Sequence, residues 1–134
     1  MNVSGKTIGI IGTRKRDTAA AYKVIFQKFN EIYEEGDFIC SGGCPKGADR
    51  FAEQIAKKTG VPIVIFYPNY EKYKKAAPIV RNHDIAENSD VIIACVVRPE
   101  EDINVVLSRI KGGTENTLRQ FVKRTKDKSL VYLV

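Results

Sequence analysis

Three short runs place glycine beside hydroxyl, basic or acidic side chains: Gly12-Thr13-Arg14, Ser41-Gly42-Gly43-Cys44-Pro45-Lys46-Gly47 with Ala48-Asp49 behind it, and Gly112-Gly113-Thr114. Glycine lets backbone N–H groups come close to a bound group, and a helix starting just downstream adds partial positive charge. The first two runs follow apolar, strand-like segments, and the third opens the last helix. Together they point to one shared pocket for a phosphate-bearing ligand. Arg14 offers a guanidinium for a bidentate pair with phosphate or carboxylate, or else stays solvated beside Lys15 and Arg16. Asp49 falls in the first turn of a helix, where it either complements the helix dipole or accepts a hydrogen bond from a ribose.

Other chemistries fit poorly. Gly42 and Gly47 have P-loop spacing, but Ala48-Asp49 stands where that motif needs Lys and Ser or Thr. Gly9-Ile10-Ile11-Gly12-Thr13-Arg14 lacks the third glycine and the spacing of a dinucleotide fingerprint. His83 and Asp84 are adjacent in sequence, so they leave a helix on different faces and do not make a triad. There is no nucleophile elbow. Cys40, Cys44 and Cys95 cannot all pair within one chain and read as reduced thiols in a cytoplasmic protein. The single histidine gives no reason to expect a zinc site, so no metal and no cofactor is expected.

The elements that must carry these residues alternate. Thr7–Ile11 reads as a first strand. Asp17-Thr18 caps a helix on which Tyr22, Ile25, Phe26, Phe29, Ile32 and Tyr33 recur at helical spacing. Gly36-Asp37 stops it, and 37–40 is a second strand. A helix over 48–59 follows, closed by Gly60, then an all-apolar strand over 62–66 of the kind buried on both faces of a parallel sheet. Residues 67–78 read as irregular, followed by a helix over 79–88, a strand over 90–97, a helix over 114–126 and a last strand over 130–134. This order predicts an α/β, Rossmann-like, doubly wound parallel five-stranded sheet in the order 3-2-1-4-5, as one domain spanning 1–134. The ligand crevice then lies at the strand C-termini between strands one and four.

With 43% hydrophobic and 28% charged residues over 134 positions, the chain has an ordinary globular composition. No apolar run reaches membrane-spanning length, and the start lacks a signal-peptide core. The net charge of +6 is clustered in lysine-bearing helix faces, which read first as solvated surface and second as a nucleic-acid patch. Tyr67, Tyr70 and Tyr73 alternate with lysines in a stretch that either stacks bases or covers the sheet edge. Ile103, Val106, Leu107 and Ile110 form an amphipathic stripe that serves as core cover, a homo-oligomer contact or a lid.

Gly12-Thr13-Arg14, Ser41-Gly42-Gly43 with Gly47-Ala48-Asp49, Arg81-Asn82 and Gly112-Gly113-Thr114 resemble, in order and over nearly the whole chain, the SLOG superfamily and its YspA-like branch. That superfamily includes the LOG phosphoribohydrolases and the DNA-processing protein DprA. The resemblance implies a nucleotide or nucleotide-derived ligand, with Gly112, Gly113 and Thr114 cradling phosphate. Arg14 and Asn82 would face the crevice, and Ser41 and Gly43 the nucleoside. It also implies Arg81 at the glycosidic bond, with Glu115 as its carboxylate partner, if the protein is a nucleoside 5′-monophosphate phosphoribohydrolase. Glu115 falls short of the family's carboxylate position by two residues, a turn of ~200° about a helix. The expected function is ligand sensing; the alternatives are N-glycosidic hydrolysis and DprA-like single-stranded DNA binding.

Overall fold

The computed structural model describes residues 5–134. Among them, five strands form an all-parallel sheet in the order β3-β2-β1-β4-β5, with β1 at Thr7–Gly12, β2 at Phe38–Ser41, β3 at Ile63–Ile65, β4 at Val91–Cys95 and β5 at Val131–Leu133. The central strand β1 pairs with β2 from Thr7↔Phe38 to Gly9↔Cys40, and with β4 from Ile8↔Val91 to Gly12↔Cys95. This is the α/β Rossmann-like arrangement that the alternation predicts.

Alternating side chains divide the core between the two faces. Ile8, Ile10, Ile39, Val91 and Ile93 point to one face. There they meet Ile25 and Phe29 of α1 (Ala19–Ile32) and Phe51 and Ile55 of α2 (Ala48–Thr59). Ile11, Ile92 and Ala94 point to the other face. That side is covered by Ile85 of α4 (Ala77–Asn88) and by Leu118 and Phe121 of α6 (Gly113–Thr125). Thr18 caps α1 by accepting from the Ala21 amide at 3.1 Å, and Gly60 ends α2 in the left-handed conformation.

Three sequence expectations need correction. The run over 62–66 is not buried on both faces: β3 is an edge strand with Val64 44% exposed. A continuous apolar run marks a buried strand only where both neighbours and both covering layers exist. Residues 67–78 are not wholly irregular. Asn69 accepts from the Lys72 amide at 3.1 Å and caps α3 (Tyr70–Tyr73), a 3₁₀ turn follows, and α4 begins at Ala77 with Pro78 in its first turn. Proline is tolerated there because a first-turn N–H has no helical acceptor. The stripe over 103–110 stops early. α5 (Ile103–Ser108) buries Val106 completely but ends before Ile110, which is 91% exposed.

These burials set the expected stabilities. Phe121→Ala, under α4 and against the sheet, should cost about 3–5 kcal/mol in urea unfolding. Val64→Thr, on the open edge, should stay within about 0.5 kcal/mol.

Candidate functional site

Parallel pairing delivers the ends of β1, β2 and β4 to one edge of the sheet, and the chain reverses its winding between β1 and β4. Beyond β1 the loop is fixed to the neighbouring strand, with the Thr13 amide donating to the Cys95 carbonyl at 2.9 Å. Thr13 then caps a 3₁₀ turn over Arg14–Arg16. Arg16 turns back, donating to the carbonyls of Val96 at 2.8 Å and Val134 at 2.6 Å. Arg14 and Lys15 turn the other way and line a cleft.

A carboxylate clamps this loop to the one after β2. Asp17 Oδ1 accepts from the Gly47 amide at 2.9 Å and from Arg50 Nε and NH2 at 3.1 and 2.7 Å. The Gly47 N–H first, and then Arg50, hold the Asp17 carboxyl below its ordinary range. The loops meet so closely that a Cβ at Gly47, whose φ is +76°, would stand 2.6 Å from the Thr13 carbonyl oxygen. Only glycine takes this position without strain.

The cleft has two contiguous lobes. The first encloses about 350 Å³ between Gly12, Thr13, Asp49, Asn82, Gly113, Thr114 and Thr117. The second encloses about 460 Å³ against Gly42, Gly43, Pro45, Lys46, Pro68 and Tyr70. Arg14, Lys15, Cys44 and Arg81 line both. Arg81 NH1 donates to the Gly42 carbonyl at 2.5 Å and Nε donates to Asn82 Oδ1 at 3.2 Å, which fixes the guanidinium plane between the lobes. Among the described residues, Arg14, Lys15 and Lys46 form no ion pair. The N-terminus of α6 enters the first lobe without a side-chain cap, since its N-cap residue is Gly112. Its leading amides have no helical acceptor and the helix dipole adds to their charge, so this wall suits an anion.

Asp49 is the carboxyl group of the first lobe. Its Oδ2 accepts from the Cys44 amide at 3.0 Å. Ser41, fully buried, donates to the Ile10 carbonyl at 2.7 Å and lies 3.0 Å from Asp49 Oδ1. The single hydroxyl hydrogen of Ser41 is shared between the Ile10 carbonyl and the Asp49 carboxyl. Burial pushes the Asp49 pKa up, against the opposing pull of the Cys44 amide, Ser41 and Arg81.

The residues marked in the sequence therefore separate by role. Gly12, Thr13, Arg14, Asp49, Arg81, Asn82, Gly113 and Thr114 line the first lobe, and Gly42 and Gly43 line the second. Ser41 sits behind the wall and Gly47 beneath the clamp. Gly112 and Glu115 do not line either lobe. The Glu115 carboxylate folds back over Gly112, where any Cβ would collide with it, and acts electrostatically on Arg109. Its place in the first turn explains this: a Glu three residues after the N-cap reaches back toward the cap. Lys15, Lys46, Thr117 and Tyr70 were not marked as site residues. Thr117 had a usable signal, because it lies three and four residues from Thr114 and Gly113 on one helix face.

Behind Arg81 a chain of amides crosses to the surface. Asn82 Nδ2 donates to Asn116 Oδ1 at 3.3 Å, as does Gln120 Nε2 at 2.8 Å, and Gln120 Oε1 lies 2.9 Å from Nδ1 of the exposed His83. His83 is thus tied to Gln120, outside the cleft. Among the described residues no group of three His, Cys, Asp or Glu is placed to hold a metal ion, and no helix is long and apolar enough to cross a membrane.

A family model described as YAcAr, the YspA, cpYpsA-related SLOG family, matches residues 4–73, just over half of the chain. The matched stretch carries β1, the Asp17 clamp, the loop after β2, α2 and α3, while Arg81 and α6 lie outside it. No curated protein and no solved structure matches the chain.

The Asp49 carboxyl gives a signed pH dependence. Its folded pKa lies above the ordinary 3.8, so the stability it contributes is complete below that value and is lost as pH rises through the raised pKa. Asp49→Asn cannot ionise, so urea unfolding from about pH 4 to about pH 8 should show the variant gaining on the wild type as pH rises. Gly47→Ala should lower stability by about 1 kcal/mol or more in the same assay, because the left-handed backbone and the Thr13 contact are both violated.

Proposed function

The chain belongs to the YspA, cpYpsA-related SLOG family, and from that premise we propose that it binds a nucleotide or nucleotide-derived ligand through its phosphate, as a sensor or effector module. Membership in this family suggests a nucleotide-related binding or processing role. The observation that carries the narrower reading is the wall of the first lobe. The uncapped N-terminus of α6 faces a cleft lined by Arg14, Lys15 and Arg81, and the carboxyl that lines it, Asp49, has its pKa raised by burial. Amides at a helix N-terminus and guanidinium groups are the donors that phosphate oxygens take, the latter in bidentate pairs. Arg81 reaches this role prepositioned by Gly42 and Asn82, with NH2 making no hydrogen bond among the described residues.

Hydrolysis of the glycosidic bond is less well supported. It would need a carboxylate at the sugar, and Glu115 is folded against Gly112 instead. DNA binding would need a surface that engages several phosphates, and its affinity would fall steeply with salt.

Calorimetric titration with AMP and with ribose 5-phosphate, followed by chromatography of the mixtures, tests the reading. Both should bind and be recovered intact, and Arg81→Ala should weaken both by roughly 10- to 100-fold, since hydrogen bonds to charged groups are worth ~1.5–3 kcal/mol. Free adenine in the AMP mixture would convert the assignment to a hydrolase. Absence of binding by either compound would end it.

A further inference from the structure

The second lobe differs from the first in chemistry as well as position. Where the first is walled by Thr114, Thr117, Asn82 and the α6 amides, the second is walled by Pro45, Pro68, Tyr70 and the backbone of Gly42 and Gly43. The two share Arg81 and Arg14, so a molecule anchored in one extends into the other without leaving the protein surface. Tyr70 is 59% exposed although it is held in place. It opens α3, whose start is capped by Asn69, and Pro68 immediately precedes that cap. Gly43 keeps the adjoining surface thin: with φ at +74°, it lies so near the Tyr67 ring that a Cβ would stand 2.5 Å from a ring carbon. Any other residue would push this backbone and the ring apart. The lobe thus joins a ring with open area to apolar and backbone surface beside a guanidinium, the composition that accepts a flat aromatic group by stacking.

Resting on the phosphate reading above, we propose that the second lobe seats the nucleobase of the ligand against Tyr70, with the sugar passing Arg81 and the phosphate at the N-terminus of α6. A stacked base presents its face, and every base has one, so recognition here is tolerant of base identity. The side chains lining this lobe carry no amide or carboxylate to read a base edge; its polar side chains are the cations Arg14, Lys15, Lys46 and Arg81, with the Cys44 thiol and the Tyr70 hydroxyl. The ligand class is therefore a nucleoside monophosphate or a derivative of one, distinguished from bare sugar phosphates by its ring.

Three probes and two variants test the assignment. AMP, CMP and ribose 5-phosphate are titrated into the wild type, Tyr70→Ala and Tyr70→Phe, with equal thermal midpoints confirming that the exposed substitutions leave the fold intact. The wild type should bind AMP on the order of tenfold or more tighter than ribose 5-phosphate, with CMP close to AMP, as expected for one stacked base. Tyr70→Ala should bring AMP down to the level of ribose 5-phosphate and leave ribose 5-phosphate within about twofold, while Tyr70→Phe keeps the AMP advantage. Equal affinity of the wild type for AMP and ribose 5-phosphate would overturn the base lobe and leave the phosphate reading standing. So would a loss shared equally by both probes in Tyr70→Ala. Failure of both AMP and ribose 5-phosphate to bind the wild type would overturn the phosphate reading itself.

Discussion

Because β1 is paired in parallel with β2 on one side and with β4 on the other, the chain must leave all three strands at the same edge. A hairpin could not bring these ends together, since parallel strands need a crossover between them. The crossovers here are α1 between β1 and β2, and α2 through α4 on the way from β2 to β4. α1 and α2 cover one face of the sheet and α4 the other, so the winding reverses between β1 and β4 and a crevice opens there. The buried isoleucines of β1 and β4 hold this geometry from both sides, and every residue of the cleft depends on it.

Within that frame the loops are held by a few polar contacts. Asp17 joins the loop after β1 to the start of α2. Asp49 and Ser41 join the loop after β2 to the carbonyl of Ile10. Arg81 joins α4 to the same loop through Gly42. Each contact spends a polar group on internal order, yet the α6 amides, Arg14, Lys15 and Lys46 keep theirs for solvent or a ligand. This division separates the groups that shape the cleft from those that can be exchanged on binding.

The alternation of apolar runs with helical periods made the sheet order and the switch point legible, because both follow from handedness and parallel pairing. The glycine loops were legible for the same reason: their places in the chain fixed which edge they share. What stayed hidden was direction. Arg14, Lys15 and Arg16 are consecutive cations, and only the 3₁₀ turn after Thr13 decides that the third turns inward to Val96 while the others face the cleft. The resemblance implied that Glu115 falls two residues short of the family's carboxylate position, but not that its carboxylate would lie back over Gly112. The order 3-2-1-4-5 already placed β3 at the rim, but the all-apolar run Ile63-Val64-Ile65 pointed to burial on both faces, because apolar residues alone do not show which covering layer is missing. α3 is four residues long, too short to show a period.

The three thiols differ in how far a reagent can reach them. Burial lifts the Cys40 thiol to about 11, against the hydrogen bond with Ser89, and lifts Cys95 too, so both sulfurs are sealed in the sheet as poor nucleophiles. Cys44 is half-buried and lines both lobes of the cleft. An alkylating label applied to the folded protein is therefore directed to Cys44, where the lobes join. Its rate of attachment becomes an optical or mass-spectrometric gauge of whether the cleft is filled, with no substitution needed to install it.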